Sequence, residues 1–306
     1  MIPMRSMLFA PATRPEMMAK AAGSAADAVC LDLEDAVAPA HKAEARHDVV
    51  RALRELDFGR RLRIVRVNAV DTVWTARDVM AVMDGAGDRV DAIMLPKASN
   101  EHDVRFLDTL LTQCEGGAGR TRKVGIIAQI ESASGFVHVN AIAAASPRLT
   151  TLVLGAGDYA ASMRMPLANI GMRDEFDAAV PGDRWHAVMH AIVAAARTNG
   201  LACWDGPYAN YTDSAGLKEA CRLARAMGFD GKQCIHPAQL PVTNATFSPS
   251  EAEVARARAV VAAWEAAEQG GQGATGINGI MIDAVNVRMA RTILAASDAI
   301  SGQEPQ

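Results

Sequence analysis

Aromatic residues make up only 5% of this 306-residue chain, and no apolar run approaches the roughly 18 residues needed to cross a bilayer. The five cysteines, Cys30, Cys114, Cys203, Cys221 and Cys234, are odd in number and scattered, with no C-x-x-C pair. That argues against a disulfide framework and reads as reduced, mostly buried thiols of a cytoplasmic protein. There is no His/Cys zinc spacing, no G-x-S-x-G and no P-loop, so nothing points to a catalytic triad or to nucleotide hydrolysis. A formal charge of −4 leaves no electrostatic footprint for nucleic acid. An anionic ligand would need locally placed Arg and Lys. The opening Met1-Ile-Pro-Met-Arg-Ser6 runs straight into a strand and lacks the layout of a signal peptide.

What the chain does have is a set of short apolar runs that end on carboxylates. Val124–Glu131 stops at Glu131, before the small-residue turn Ser132-Ala-Ser-Gly135, and Leu149–Leu154 stops at Gly155-Ala-Gly-Asp158. Continuous apolar runs of this length, bounded by Gly and Ser, read as strands buried on both faces of a parallel sheet. Neighbouring strands lie roughly 5 Å apart, so acids at equivalent ends can grip one ion. An unpaired carboxylate there is costly, and a hard divalent cation bound through oxygen relieves it. The pattern is that of an enzyme built around a magnesium-type site.

Strand-like segments fall at Ser6–Ala10, Ala28–Leu33, Arg63–Asn68, Ala92–Pro96, Val124–Glu131, Thr150–Gly155, Leu201–Asp205 and Lys232–His236. Helical patterns alternate with them at Pro15–Ala22, Lys42–Glu55, Thr75–Met83, Glu101–Cys114, Gly135–Ala145, Arg184–Thr198 and Ser214–Met227. Eight strands alternating with helices is the count for a (β/α)8 barrel, an α/β fold, with a doubly wound sheet as the alternative. The texture changes after His236. Ser248-Pro-Ser-Glu251 starts a helix running to Glu268, and the glycine-dense Gly270–Gly279 reads as a flexible hinge before Ile280-Met-Ile-Asp283 and a last helix. The expected division is a barrel over residues 1–246 and a lid or oligomerisation arm over 247–306.

Several residues carry two readings. Gly155-x-Gly157-x-x-Ala160 formally matches a dinucleotide fingerprint, but it follows the sixth strand rather than the first. Asp158 would also face the pyrophosphate, and Pro166 argues against a clean helix start there. Asp32-Leu-Glu34-Asp35 is either an exposed turn or an acidic rim on the catalytic face; with Glu131 and Asp158 at matching strand ends, Glu34 and Asp35 read as holding metal-bound water. Arg66 is a charge inside an apolar strand. It is either a structural partner of the acidic rim or a fork for a carboxylate or developing oxyanion. Pro96-Lys97, Arg14 and Lys20 look like ordinary surface charges, and His236 like a buried, satisfied histidine.

Taken together, Arg5-Ser-x-Leu-Phe-x-Pro, Asp32-Leu-Glu-Asp-Ala-Val, Arg66-Val-Asn, Leu95-Pro-Lys, Gln129-Ile-Glu131, Gly155-x-x-Asp158, Gly231-Lys-x-x-Ile-His-Pro and Gly279-x-Met-Ile-Asp283 carry a family resemblance. In this order they resemble the citrate lyase β-subunit-like branch of the HpcH/HpaI aldolase superfamily, which includes malyl-CoA and citramalyl-CoA lyases. The resemblance implies a (β/α)8 TIM barrel with a C-terminal helical lid, assembled as a homotrimer or hexamer in which a neighbour's lid completes each site. It implies Mg2+, with Mn2+ as a substitute, on Glu131 and Asp158, and Arg66 at the reacting oxygens. It makes Asp283 a lid acid, where sequence alone makes it the N-cap of the last helix, and it assigns thioester contacts to Phe9, Arg14, Lys20, Ile235 and His236. Two departures, Ser-Ala-Ser after Glu131 and Gly-Asp158-Tyr159, border the keto-acid pocket and bear on substrate identity.

The implied activity is that of a carbon–carbon lyase. A 3-hydroxy-3-carboxyacyl-CoA thioester (malyl-, citramalyl- or citryl-CoA-like) would split by retro-Claisen chemistry into a short acyl-CoA and a 2-oxo acid, or form by the reverse condensation. The alternatives are a β subunit acting on citryl-acyl-carrier protein within a citrate lyase complex, and a non-catalytic thioester-binding protein.

Overall fold

The computed structural model describes residues 4–180, 183–271 and 274–302. Eight parallel strands close into a barrel: β1 (Ser6–Pro11), β2 (Ala28–Asp32), β3 (Leu62–Arg66), β4 (Ala92–Leu95), β5 (Gly125–Ile130), β6 (Leu149–Leu154), β7 (Ala202–Asp205) and β8 (Gly231–Cys234). β8 pairs back onto β1 through Ser6 with Lys232 and Leu8 with Cys234. The doubly wound alternative is therefore excluded, and with it the dinucleotide reading of Gly155–Ala160.

The connecting helices are α1 (Pro15–Ala22), α2 (Lys42–Glu55), α3 (Thr75–Ala86), α4 (Glu101–Gly117), α5 (Ala133–Val137), α6 (Val139–Ala143), α7 (Ala156–Ser162), α8 (His186–Thr198), α9 (Ser214–Met227) and α10 (Leu240–Phe247). Three differ from the sequence reading, and one of them is α10, which follows the eighth strand where no helix was expected. The single helix expected over Gly135–Ala145 is broken at His138, whose Nδ1 lies 3.0 Å from the Ser134 carbonyl and 3.1 Å from that of Ser99, so the side chain competes for a helical acceptor. Directly after β6 a short helix, α7, does open, and it ends before Pro166 can interrupt it.

Alternation along the strands divides the buried residues into two layers. Met7, Ala28, Cys30, Ile64, Ala92, Met94, Ile127, Val153 and Trp204 fill the barrel interior, and the Trp204 indole donates to the Met4 carbonyl. The alternate set, including Leu8, Val29, Leu31, Val65, Ile93, Ile126, Ala128 and Leu152, is equally buried and lies on the opposite face of the strands, toward the helices. A register shift between Ile126 and Ile127 in the β5–β6 pairing brings Gln129 opposite Val153. All five cysteines are free, and burial holds Cys203 and Cys234 up at about 12. Among the described residues no helix is long and apolar enough to cross a membrane.

Contacts divide the chain into two compact units, Met4–Asn244 and a second from Ala245 onward, so the division falls inside α10. In the second unit α11 (Glu251–Gln269), opened by a Ser250–Glu253 capping box, packs against α12 (Ala284–Ser301). The second half of the expected flexible hinge is part of a hairpin. β9 (Thr275–Ile277) and β10 (Ile280–Ile282) pair antiparallel around Asn278 and Gly279, both at positive φ (50° and 78°), the turn that Asn-Gly favours. Gln272 and Gly273 of that hinge lie outside the described residues, as do Met1–Pro3.

Outside the site, the most concentrated polar contact in the barrel unit is Arg148, ahead of β6. It pairs with Asp108 at 2.7 Å and Glu115 at 2.6 Å of α4, and it also bonds Thr112 and the Val124 carbonyl. Replacing Arg148 by Met leaves Glu115 buried and uncompensated. The expected cost is about 3–5 kcal/mol, read as a lower denaturant midpoint with an unchanged slope.

Candidate active site

The C-terminal ends of β2 to β6 carry the charged residues, and the backbone register places them. Asp32 and Arg66 are register partners at the ends of β2 and β3, so both point into the barrel mouth. They form a bidentate pair, Arg66 Nε to Asp32 Oδ1 and Nη2 to Oδ2, each at 2.7 Å. Arg66 Nη1 lies 3.1 Å from Glu34 Oε2 without an aligned hydrogen bond, and the guanidinium stacks 4.9 Å over the Phe9 ring. Burial opposes the charge on Arg66, but Asp32 and Glu34 outweigh it and hold its pKa above the usual arginine value. The structural partnership suggested by the sequence is therefore real, and its two aligned hydrogen bonds use two of the five guanidinium N–H groups.

The turn carrying Glu34 is braced from behind. Lys42 Nζ donates to the carbonyls of Leu33 and Glu34, each at 2.7 Å, and Asn68 Nδ2 donates to Leu33 O at 3.1 Å. Asn68 is in turn fixed by buried Asp78, which also pairs with Arg46 at 2.6 Å. Asp35 differs from its neighbours in being largely exposed, and its contact is with Lys97 Nζ at 3.3 Å. Glu34, by contrast, is buried and receives Lys97 Nζ at 2.5 Å. Burial raises its pKa, and Asp35 adds to this against the pull of Arg66 and Lys97.

Lys97 is the residue the sequence reading passed over. Its φ of 50° is left-handed, a conformation costing about 1–3 kcal/mol in a non-glycine residue. This turns its backbone N–H onto Glu131 Oε1 at 2.7 Å while its ammonium reaches Glu34 and Asp35. Its place after a strand end and in the Leu95-Pro-Lys motif were the signals in the sequence, and neither could reveal the backbone twist.

Glu131, 2% exposed, follows β5. Its other oxygen accepts from Gln129 Nε2. Gly155 lies against this contact, and a β-carbon there would collide with Glu131 and crowd Gln129. Asp158 is exposed, in the first turn of α7, and close enough to add to the field on Glu131. Of the three buried acids at this mouth, Asp32 and Glu34 have cationic partners, whereas among the described residues Glu131 accepts hydrogen bonds from neutral N–H donors alone. Burial first, then Glu34 and Asp158, push its carboxyl up to about 8.

An all-oxygen donor set with excess negative charge suits a hard divalent cation. No cluster of three or more His, Cys, Asp or Glu able to hold a metal occurs among the described residues. A cation on Glu131 and Asp158 would therefore draw its remaining ligands from water or substrate.

The other expected residues are exposed or have local partners of their own. Arg14 is exposed and pairs with Glu16 at 2.6 Å, and Lys20 is exposed in the last turn of α1. Past the end of β8, Ile235 is 42% exposed. His236 is only partly buried. Its Nδ1 accepts from Ala238 N at 3.1 Å, and its ring stacks on Tyr211 at 4.5 Å. Asp283 belongs to the second unit and caps α12: its Oδ1 accepts from Val285 N at 2.9 Å and Asn286 N at 3.2 Å, and Asn286 Oδ1 accepts from Asp283 N at 2.9 Å.

Residues 5–237 match the family described as HpcH/HpaI aldolase/citrate lyase. The chain belongs to this family. Among relatives of this HpcH/HpaI member, the L-malyl-CoA/beta-methylmalyl-CoA lyase of Cereibacter sphaeroides is 43% identical over 98% of this chain and 96% of its own length. The (3S)-malyl-CoA thioesterase of the same species is 39% identical over equal shares of the two chains. Among solved structures, the CitE protein of Mycobacterium tuberculosis in complex with magnesium, acetoacetate and coenzyme A superposes with a TM-score of 0.74 at 34% identity. That match covers 96% of this chain and 99% of the other.

The raised Glu131 pKa has a measurable sign. In metal-free protein Glu131 binds its proton more tightly folded than unfolded, so its contribution to stability is complete below about pH 4.5 and is lost as pH rises through about 8. Melting temperature in a chelating buffer should fall across that window, and Glu131→Gln should flatten the decline.

Proposed function

We propose that this protein is a CoA-ester carbon–carbon lyase. It would split a 3-hydroxy-3-carboxyacyl-CoA of the malyl-CoA type into a short acyl-CoA and a 2-oxo acid, or join them in reverse. The observation that carries this reading is the nearly end-to-end match, at 43% identity, to an L-malyl-CoA/beta-methylmalyl-CoA lyase. The site chemistry supports it, because a buried carboxylate without a cationic partner stands beside a fully charged guanidinium at the barrel mouth.

Glu131 and Asp158 would hold Mg2+, or Mn2+ in its place, and that cation would stabilise negative charge on the substrate's oxygens. Arg66 directs its remaining N–H groups at the same oxygens from a position fixed by Asp32 and Phe9. Lys97 neutralises Glu34 and Asp35, which orient water at the mouth. Phe9, Ile235 and His236 contact the thioester, and Arg14 and Lys20 receive the anionic end of CoA. Asp283 keeps Oδ2 outside its capping contacts, so one carboxylate can start α12 and exchange a proton with the acyl carbon. Residues 247–306 serve as the lid. Ile280, Met281, Val285 and Met289 expose apolar surface on the lid unit, in keeping with a homotrimer or hexamer in which each lid completes a neighbour's site. The free, mostly buried thiols fit the cytoplasm.

The thioesterase relative supports a second reading, hydrolysis of the same thioester. Product analysis separates the two. With malyl-CoA and Mg2+, the lyase gives acetyl-CoA and glyoxylate, whereas hydrolysis gives malate and free CoA. We expect the first pair, dependent on a divalent cation and abolished by Glu131→Gln or Asp158→Asn with the fold intact. Malate and CoA as the only products would replace the lyase reading.

The shared site has its own test. Asp283→Ala should lose turnover, and co-expression with Glu131→Gln chains should restore part of it, since mixed assemblies contain some sites with both acids. No recovery in assemblies shown to be mixed would place lid and barrel of one site on the same chain.

A further inference from the structure

Gln129 and Gln233 are amides inside the barrel, 4% and 3% exposed, among otherwise apolar neighbours. Buried amides are costly unless their hydrogen bonds are made. Gln129 stands two residues before Glu131, so both side chains leave the same face of the chain. Gln129 Nε2 donates to Glu131 Oε2, and Gln233 Nε2, reaching across from β8, donates to Gln129 Oε1 at 3.4 Å.

Chemistry sets the direction of this chain. A carboxylate only accepts, so Gln129 must turn its NH2 to Glu131 and its carbonyl away, and Gln233 must then present its own NH2. Gly155, lacking a β-carbon, leaves room for the contact. Glu131 thus has one protein donor on each oxygen, Lys97 N on Oε1 and Gln129 on Oε2, and each oxygen keeps further lone-pair capacity.

We infer that Gln129 is a positioning residue for the divalent-cation site, with Gln233 behind it. The inner amide holds Glu131 in the rotamer that presents its free lone pairs to a cation, and the outer amide holds the inner one. This rests on the reading of Glu131 as a cation ligand. Neither amide touches the reacting atoms. Their removal should therefore change how tightly the cation binds and leave the chemistry of the loaded site nearly unchanged.

The experiment is Mg2+ titration calorimetry on the full-length assembly without substrate, repeated with Mn2+ by electron paramagnetic resonance. The variants are Gln129→Met, Gln233→Met, the double variant and Glu131→Gln. Gln129→Met should weaken cation binding by about 10–100-fold, the range for orienting partners of metal ligands, with kcat at saturating Mg2+ within a few-fold of native. Gln233→Met should weaken it less. The double variant should be no weaker than Gln129→Met, because the outer amide acts only through the inner one.

Loss of binding in Glu131→Gln with native-like affinity in Gln129→Met would overturn this inference alone. So would a double variant showing the full product of the two single losses. A native protein that binds no cation, or a Glu131→Gln protein that binds as tightly as native, would overturn the cation reading and this inference together. Should Gln129→Met fail to fold, Gln233→Met decides: weaker binding at a native melting temperature supports the chain, and unchanged binding overturns it.

Discussion

Negative charge without an internal counter-charge is the condition around which the barrel mouth is organised. Asp32, Glu34 and Glu131 are all buried there. Arg66 and Lys97 form ion pairs with the first two, whereas the third receives the Lys97 backbone N–H and only the more distant field of Arg66. Burying an ion is expensive, and the neighbouring ions repay that expense only where geometry is good. The bidentate fork on Asp32 and the contact of Lys97 with Glu34 meet that condition. Glu131 is given dipoles instead, a backbone N–H and an amide, which orient it without neutralising it. The result is a localised demand for positive charge at one point of an otherwise balanced cluster.

Rigid elements carry that arrangement. The acidic turn after β2 is tied to α2 through Lys42 and to the end of β3 through Asn68, and Asn68 is tied to α3 through Asp78. Each tie is a buried hydrogen bond to a backbone carbonyl or a fixed carboxylate, so the turn has little freedom to follow solvent. Lys97 accepts a left-handed backbone because both ends of the residue are anchored, its N–H on Glu131 and its ammonium on Glu34. A site held on strand ends and braced by helices is better fixed than one held on loops alone.

The eight strands were legible because each is a short apolar run punctuated by Gly, Pro or Asp, and the period of alternation with helices then leaves few architectures. Glu131 and Asp158 stood out as charges closing apolar runs, and Arg66 as a charge inside one; the structure places all three at strand ends on one side of the barrel. That Arg66 pairs with the acidic rim was one of its two readings, but the choice of Asp32 as its partner was not legible, since it depends on the register between two strands, and register is a property of the assembled sheet. Lys97 was hidden by a backbone angle that no side-chain pattern encodes. Gln129 was within reach, because strand periodicity puts it on the same face as Glu131, but an amide is quieter than a charge. In the tail, glycine density suggested a hinge over Gly270–Gly279, whereas Asn278-Gly279 between two short apolar runs is a hairpin signal that outweighs it. His236 looked like an interior residue, yet lies partly open against Tyr211, because β8 stops at Cys234 and the chain turns outward before reaching it.

The seam between β1 and β8 has a consequence for synthesis. Ser6 finds its partner in Lys232, and the Met4 carbonyl finds its donor in Trp204, so the barrel cannot close until most of the chain has left the ribosome. Contacts so distant in sequence form slowly, since loop closure must precede any reward from pairing. During that interval one side of β1 remains an unpaired edge on a growing, apolar-rich nascent chain, a state prone to association with other chains. Production of this protein should therefore respond to translation speed and chaperone supply more than its finished fold would suggest.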